Sequence, residues 1–168
     1  MSSSDQTKWT RRAVLLGGAL ALAGCGFTPV YGPAGQATPL QGIILADAPD
    51  NRDGFVFVAQ FEQRLGRPQT PQYALRYTIQ TREEGVGITP AAETTRFNIF
   101  GAVTYRVIEL GSNREVTRGF EETFTGYSAT RLIVSTQTVE RDARERLMSI
   151  LADRVVTRLV TTAPDWLP

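Results

Sequence analysis

Tyr73-Ala74-Leu75-Arg76-Tyr77-Thr78-Ile79-Gln80 sets a large apolar side chain at every second position and a small or polar one between. A period of two belongs to a strand that buries one face and wets the other. Two further runs repeat it. Phe97, Ile99, Gly101, Val103, Tyr105 and Val107 share one parity, with Arg96, Asn98, Thr104 and Arg106 on the other. Val116 to Tyr127 reads as a third long strand, with Phe120 and Phe124 at matching parity. Gly85, Gly87 and Pro90 predict a loop over 82–92, and Gly111-Ser112-Asn113-Arg114 is turn chemistry. Three such strands in succession predict an antiparallel meander.

Upstream, Leu40 to Leu45 reads as a short strand, followed by an Asp- and Asn-rich turn at Asp47 to Asp53. Phe57, Val58, Phe61 and Leu65 then form a helical apolar stripe, and Gly66 and Pro68 supply its stop. Downstream, past a connector containing Leu132-Ile133-Val134, a long helix is expected from about Thr136 to Val160. Its stripe is Val139, Ala143, Leu147, Ile150, Leu151, Val155 and Leu159, and Pro164 ends the pattern. Glu140 with Arg144 and Asp142 with Arg146 are i, i+4 pairs of the stabilising orientation, which reads as a solvated helix face. The order βαβββα predicts an α+β fold with two helices on one face of a four-stranded, mainly antiparallel sheet. If the helices shield the Tyr73, Phe97 and Phe120 parity, the uncovered side carries Arg76, Thr78, Arg96, Asn98, Phe100, Thr104, Arg106 and Glu121. That mixture suits a wet protein or amphiphile contact, and equally plain solvent.

The amino terminus reads as something removed from the fold. Met1 to Arg12 is polar and carries Lys8, Arg11 and Arg12, and Ala13 to Ala23 is an apolar run too short for a permanent membrane helix. Leu22-Ala23-Gly24-Cys25 closes it with the only cysteine of the chain, the pattern of a bacterial lipobox. A thiol is the most nucleophilic side chain available there near neutral pH, so Cys25 is the expected lipidation site. Thr10 to Leu15 partly resembles the twin-arginine export signal, but Val14 stands where that motif usually has an aromatic residue, so either export route stays open. The expected organisation is a signal peptide over 1–24, a Gly- and Pro-rich lipidated tether over 25–39, one α+β domain over 40–163 and a tail over 164–168. The tether would hold its ends roughly 20 Å apart as a flexible chain and about 50 Å fully stretched.

Composition excludes several chemistries. The chain has no histidine, and its 18 Lys and Arg, less Lys8, Arg11 and Arg12, leave 15 arginines and no lysine after residue 24. Against 16 acidic residues there, the formal charge is −1, without the basic excess of a general nucleic-acid binder. With Cys25 acylated, residues 26–168 supply no catalytic triad, Cys-His pair, Ser-Lys dyad, Schiff-base lysine or His/Cys zinc site. A two-carboxylate site is still formally open, but Glu121 and Glu122 are adjacent on a strand and point to opposite faces. No enzyme activity, metal or cofactor is expected beyond the covalent lipid.

Cys25-Gly26-Phe27-Thr28-Pro29-Val30-Tyr31-Gly32 after a lipobox, a domain ordered βαβββα, and Val139-Glu140-Arg141-Asp142-Ala143-Arg144-Glu145-Arg146 in its last helix resemble the LPS-assembly lipoprotein (LptE) family, especially its α-proteobacterial branch. The resemblance implies a non-enzymatic lipoprotein of the outer membrane, facing the periplasm. It would plug and help fold the large β-barrel that inserts lipopolysaccharide into the outer leaflet, and bind lipopolysaccharide on its way. Gly26 after the cysteine, rather than Asp, lacks the inner-membrane retention residue of related lipoproteins. Two other readings stay open: another periplasmic scaffold lipoprotein, such as a pilotin or a barrel-insertion subunit, or a cell-wall carbohydrate enzyme.

For lipopolysaccharide phosphates the candidates are Arg76, Arg96, Arg106 and Arg118, because arginine matches phosphate bidentately and no other cation exists after residue 24. Arg118 has the parity of Phe120 and so ranks last, at the covered edge of the sheet. Each also reads as a solvated strand residue with a local carboxylate partner.

Overall fold

Asn51 starts the first helix: its side-chain oxygen accepts a hydrogen bond from the Gly54 amide at 2.8 Å. Gly66 stops it at φ 78°, a left-handed value that costs glycine nothing. Between them α1, Arg52–Leu65, turns Phe57, Val58, Phe61 and Leu65 inward, as the stripe predicts. The computed structural model describes residues 38–88, 94–128 and 133–167, all within one compact unit, Gln36–Pro168. Its other elements are β1 (Ile44–Ala46), β2 (Tyr73–Ile88), β3 (Thr94–Glu109), β4 (Arg114–Ser128) and α2 (Ile133–Trp166), after a 3-10 helix at Thr38–Leu40. The sheet runs β1-β2-β3-β4; β1 lies parallel to β2, and the other neighbours are antiparallel. The fold is therefore α+β with a four-stranded mixed sheet in the order βαβββα.

Three boundaries differ from the reading above. The first strand is confined to Ile44–Ala46, because Leu40 is fully buried from a 3-10 turn and Gly42, at φ 67°, redirects the chain, its amide bonding the Leu65 carbonyl at 2.7 Å. The expected loop at 82–92 is strand as far as Ile88. Arg82 pairs with Phe100 and Glu84 with Asn98, and the glycines there make register shifts at Gly85/Gly87 and Gly87/Ile88 rather than a break. Finally, α2 begins at Ile133 and passes Pro164 to Trp166. A proline in the last turn loses few backbone bonds. Trp166 anchors that turn edge-on against Tyr73 at 5.6 Å, and the Leu167 amide bonds the Ala163 carbonyl at 2.8 Å.

Both helices lie on one face of the sheet. Leu75, Ile99, Val103 and Val107 meet Phe57, Phe61 and Leu65 of α1 and Leu147, Leu151, Val155 and Leu159 of α2 in a single apolar core. Wedged between sheet and α1, α2 needs an apolar face two residues wide, so Met148, Ala152, Val156 and Val160 are buried too. The centre of that face sits away from Ile150, which is 39% exposed, a correction to the stripe. Gly101 lets α2 approach: a Cβ there would lie 3.0 Å from both Leu147 and Leu151 side-chain carbons. Polar contacts join the helices, Arg52 to Glu145 at 2.6 Å, Arg64 to Asp153 at 2.8 Å and Gln60 to Asp153 at 3.0 Å. Of the expected i, i+4 pairs, Glu140–Arg144 forms at 3.0 Å, and Arg144 also reaches Glu83 at 3.4 Å. Asp142 and Arg146 form no ion pair with each other. No described helix is long and apolar enough to cross a membrane.

Candidate functional site

The face of the sheet away from the helices is open, and its composition follows from register. Arg76 of β2 stands opposite Arg106 of β3, which stands opposite Arg118 of β4. Three guanidinium groups thus share one row across three strands, where like charges face each other at a cost in stability. Two carboxylates relieve the ends of the row, Asp47 at 3.5 Å from Arg76 and Glu115 on Arg118. Arg106, in the middle, has no ion pair among the described residues. The row borders a shallow depression of about 830 Å³ with Thr78, Thr104 and Phe120.

Next to it the surface is aromatic. Phe100 and Phe124 pack at 5.6 Å, with the Arg82 guanidinium 4.4 Å above the Phe100 ring. Phe120 and Phe124 are 56% and 57% exposed, unusual for phenylalanine. With Gln80, Ala102 and Glu122 the pair Phe100 and Phe124 borders a second hollow of about 610 Å³.

This corrects the parity of β4. Phe120 and Phe124 pair with Thr104 and Phe100 on the open face, and Glu121 pairs with Val103 on the helix side. α2 packs directly over β4, and the half-buried polar side chains beneath it bond the helix or reach solvent. The Thr125 hydroxyl donates to the Ala143 carbonyl at 3.0 Å, and Arg154 reaches the Glu122 carbonyl at 2.9 Å. Arg118, expected at the covered edge, therefore joins Arg76 and Arg106. Arg96 does not. It pairs with Gly87 and Ser128 at the far end of the sheet, in a separate hollow with Asn98, Tyr127 and Arg146. Cys25 lies outside the described residues.

The perturbed groups are tyrosines and one aspartate. Burial, with Asp50 and Asp47 nearby, pushes the Tyr77 hydroxyl up to about 12, and burial with Glu121 nearby does the same for Tyr105. Burial and a 2.7 Å hydrogen bond to Glu83 raise Tyr127 further. Burial would raise Asp153, but hydrogen bonds from Arg64 and Gln60 outweigh it and hold its carboxyl below the usual range. Glu121 and Glu122 point to opposite faces, so they do not address one substrate together. Among the described residues no three His, Cys, Asp or Glu side chains gather as for a metal.

No protein-family model matches the chain, and no curated protein sequence does. Solved structures do. A Caulobacter crescentus CB15 protein classed provisionally as a lipoprotein aligns with a TM-score of 0.67 at 20% identity, over 80% of this chain and 99% of that one. Rare lipoprotein B from Shewanella oneidensis aligns at 0.57 and 12% identity, over 73% and 96%. A minor lipoprotein from Acinetobacter baumannii aligns at 0.57 and 13%, over 72% and 92%. The chain shares the fold of these proteins.

Sequence reasoning missed Arg82, Phe120 and Phe124 as members of the open face. Arg82 has the parity of Arg76 and was visible once the strand is carried past Thr81. The two phenylalanines follow from counting β4 back from Tyr127 opposite Phe97 rather than from its own hydrophobicity.

Proposed function

We propose that this chain is a non-enzymatic outer-membrane lipoprotein, held through acyl groups on Cys25 and facing the periplasm. It binds lipopolysaccharide on the open sheet face and serves as plug and assembly partner of the β-barrel that inserts it. The observation carrying this reading is the row Arg76, Arg106 and Arg118 set beside Phe100, Phe120 and Phe124. An anionic amphiphile needs that pairing: guanidinium forks for phosphate and apolar surface for acyl chains. The lipobox and the fold shared with proteins called lipoproteins support the anchor. A small domain with a largely polar surface also suits the polar lumen of a barrel.

The test is lipopolysaccharide binding by the full chain in detergent, before and after Arg76, Arg106 and Arg118 are changed together to Gln. Losing the row should weaken binding by about tenfold or more, whereas Arg67→Gln, in the connector after α1 and beside Glu62, should leave it unchanged. Unchanged affinity in the triple variant would move the site elsewhere on the molecule. Copurification from solubilised outer membrane identifies the barrel, and a different barrel would favour another scaffold role.

A further inference from the structure

Among the described residues the outer edge of β4 carries no strand, and its residues are arranged to pair with themselves. The Glu122 carbonyl is met from outside the sheet by Arg154, so the even-numbered residues of β4 aim their backbone groups outward while the odd-numbered ones bond β3. From Arg118 to Phe124 that outward row has one hydrogen-bond partner among the described residues, Arg154. A carbonyl oxygen accepts two bonds, so that contact leaves room for another. Of the usual devices that blunt an edge, β4 has the Arg154 contact, Glu121 turned to the helix side and a register irregularity near its start, between Val107 and Ile108 of its partner, but no proline and no lysine.

We infer that β4 is a strand-addition surface for a second copy of this chain, joining two sheets antiparallel about a two-fold axis at Phe120. In that register Arg118 faces Glu122 of the second copy and Glu122 faces its Arg118. Phe120 meets Phe120, and Thr117 meets Thr123 on the helix side. Opposite charges and aromatic pairs across strands both stabilise such contacts. An axis at Glu121 would set Glu121 against Glu121 and one at Glu122 would set Glu122 against Glu122, whereas the axis at Phe120 sets Arg118 against Glu122 twice. The sheet's other edge is a poorer match: beyond β1, Arg76 to Glu84 exposes no large apolar side chain, whereas Phe120 is 56% exposed. Edge pairing leaves Arg76, Arg106 and Phe100 of the open face accessible but engages Arg118 and Phe120, so the seam and the lipopolysaccharide site share those two side chains, and dimerisation measured without lipopolysaccharide tests the seam alone.

The experiment uses the full chain in a Cys25→Ala background. Directly opposed hydrogen-bonded residues hold their Cα atoms about 5.5 Å apart, within disulfide reach, so Phe120→Cys should yield an oxidised dimer. Gln80→Cys, on the other edge, and Gln63→Cys, on α1, should not. Sedimentation equilibrium should show a dimer whose Kd rises by about tenfold or more in Arg118→Glu and returns when Glu122→Arg is added. A monomer at millimolar concentration, cross-linking through Gln80→Cys in place of Phe120→Cys, or a charge exchange without effect would each overturn the assignment.

Discussion

Tyr77 and Tyr105 hold their protons more tightly folded than unfolded, where a phenol titrates near 10. Above that pH the unfolded chain sheds protons that the folded one keeps, so stability should fall as pH rises from about 10 towards 12, and Tyr127 adds to the loss in the same direction. Asp153 has the opposite sign: its lowered pKa stabilises above the unfolded value and is lost as pH falls through the acid range. With no histidine in the chain, melting temperature should stay flat between about pH 5 and 9. A melting curve that steps near pH 6.5 would contradict this. At Gly101, where a Cβ would already press Leu147 and Leu151, Gly101→Val should cost about 1–3 kcal/mol in a denaturant titration despite valine's better strand propensity. Individual residues were legible where they sat inside a clean alternation. Arg76 and Arg106 fell on the wet parity at once, whereas Arg82 was hidden by two glycines that read as a loop and act as irregularities in a long strand.

Within elements, α2 gives the clearest contrast. Leu151→Ala should cost about 2–5 kcal/mol by opening a cavity, and Ile150→Ala, one residue away, under about 1 kcal/mol. Equal losses would mean that the buried face of α2 is misplaced. Helices and strands were legible from period alone, because each buries one side and the repeat survives over many residues. Their ends were less so. Pro164 reads as a stop, yet the Tyr73–Trp166 contact holds one more turn, and such a tertiary contact leaves no local pattern. The face of β4 was misread for a related reason. An edge strand whose helix side stays half-buried can put threonine and glutamate beneath the helix and phenylalanine outside, so hydrophobicity no longer marks the core. That inversion puts Arg118 on the open face, where it was expected at the covered edge, and Glu121 on the helix side.

At the scale of the whole molecule, the proposed anchor predicts that Cys25→Ser leaves the protein as uncleaved precursor or soluble, because only two or more acyl chains bind a membrane durably. Processing at residue 25 with fatty-acid labelling in that variant would end the proposal. The contacts between the two helices have a kinetic consequence. Arg52 meets Glu145, and Gln60 meets Asp153, each pair 93 positions apart in the chain. The hairpins β2–β3 and β3–β4, by contrast, close short loops. Loop closure must be paid before distant contacts give any return, so the hairpins and α2 should form the folding nucleus, with α1 docking after the rate-limiting barrier. In φ-value analysis Val103→Ala should therefore slow refolding, whereas Phe61→Ala should mainly speed unfolding. The first helix of the domain would then be the last element to lock into place and the first to come loose.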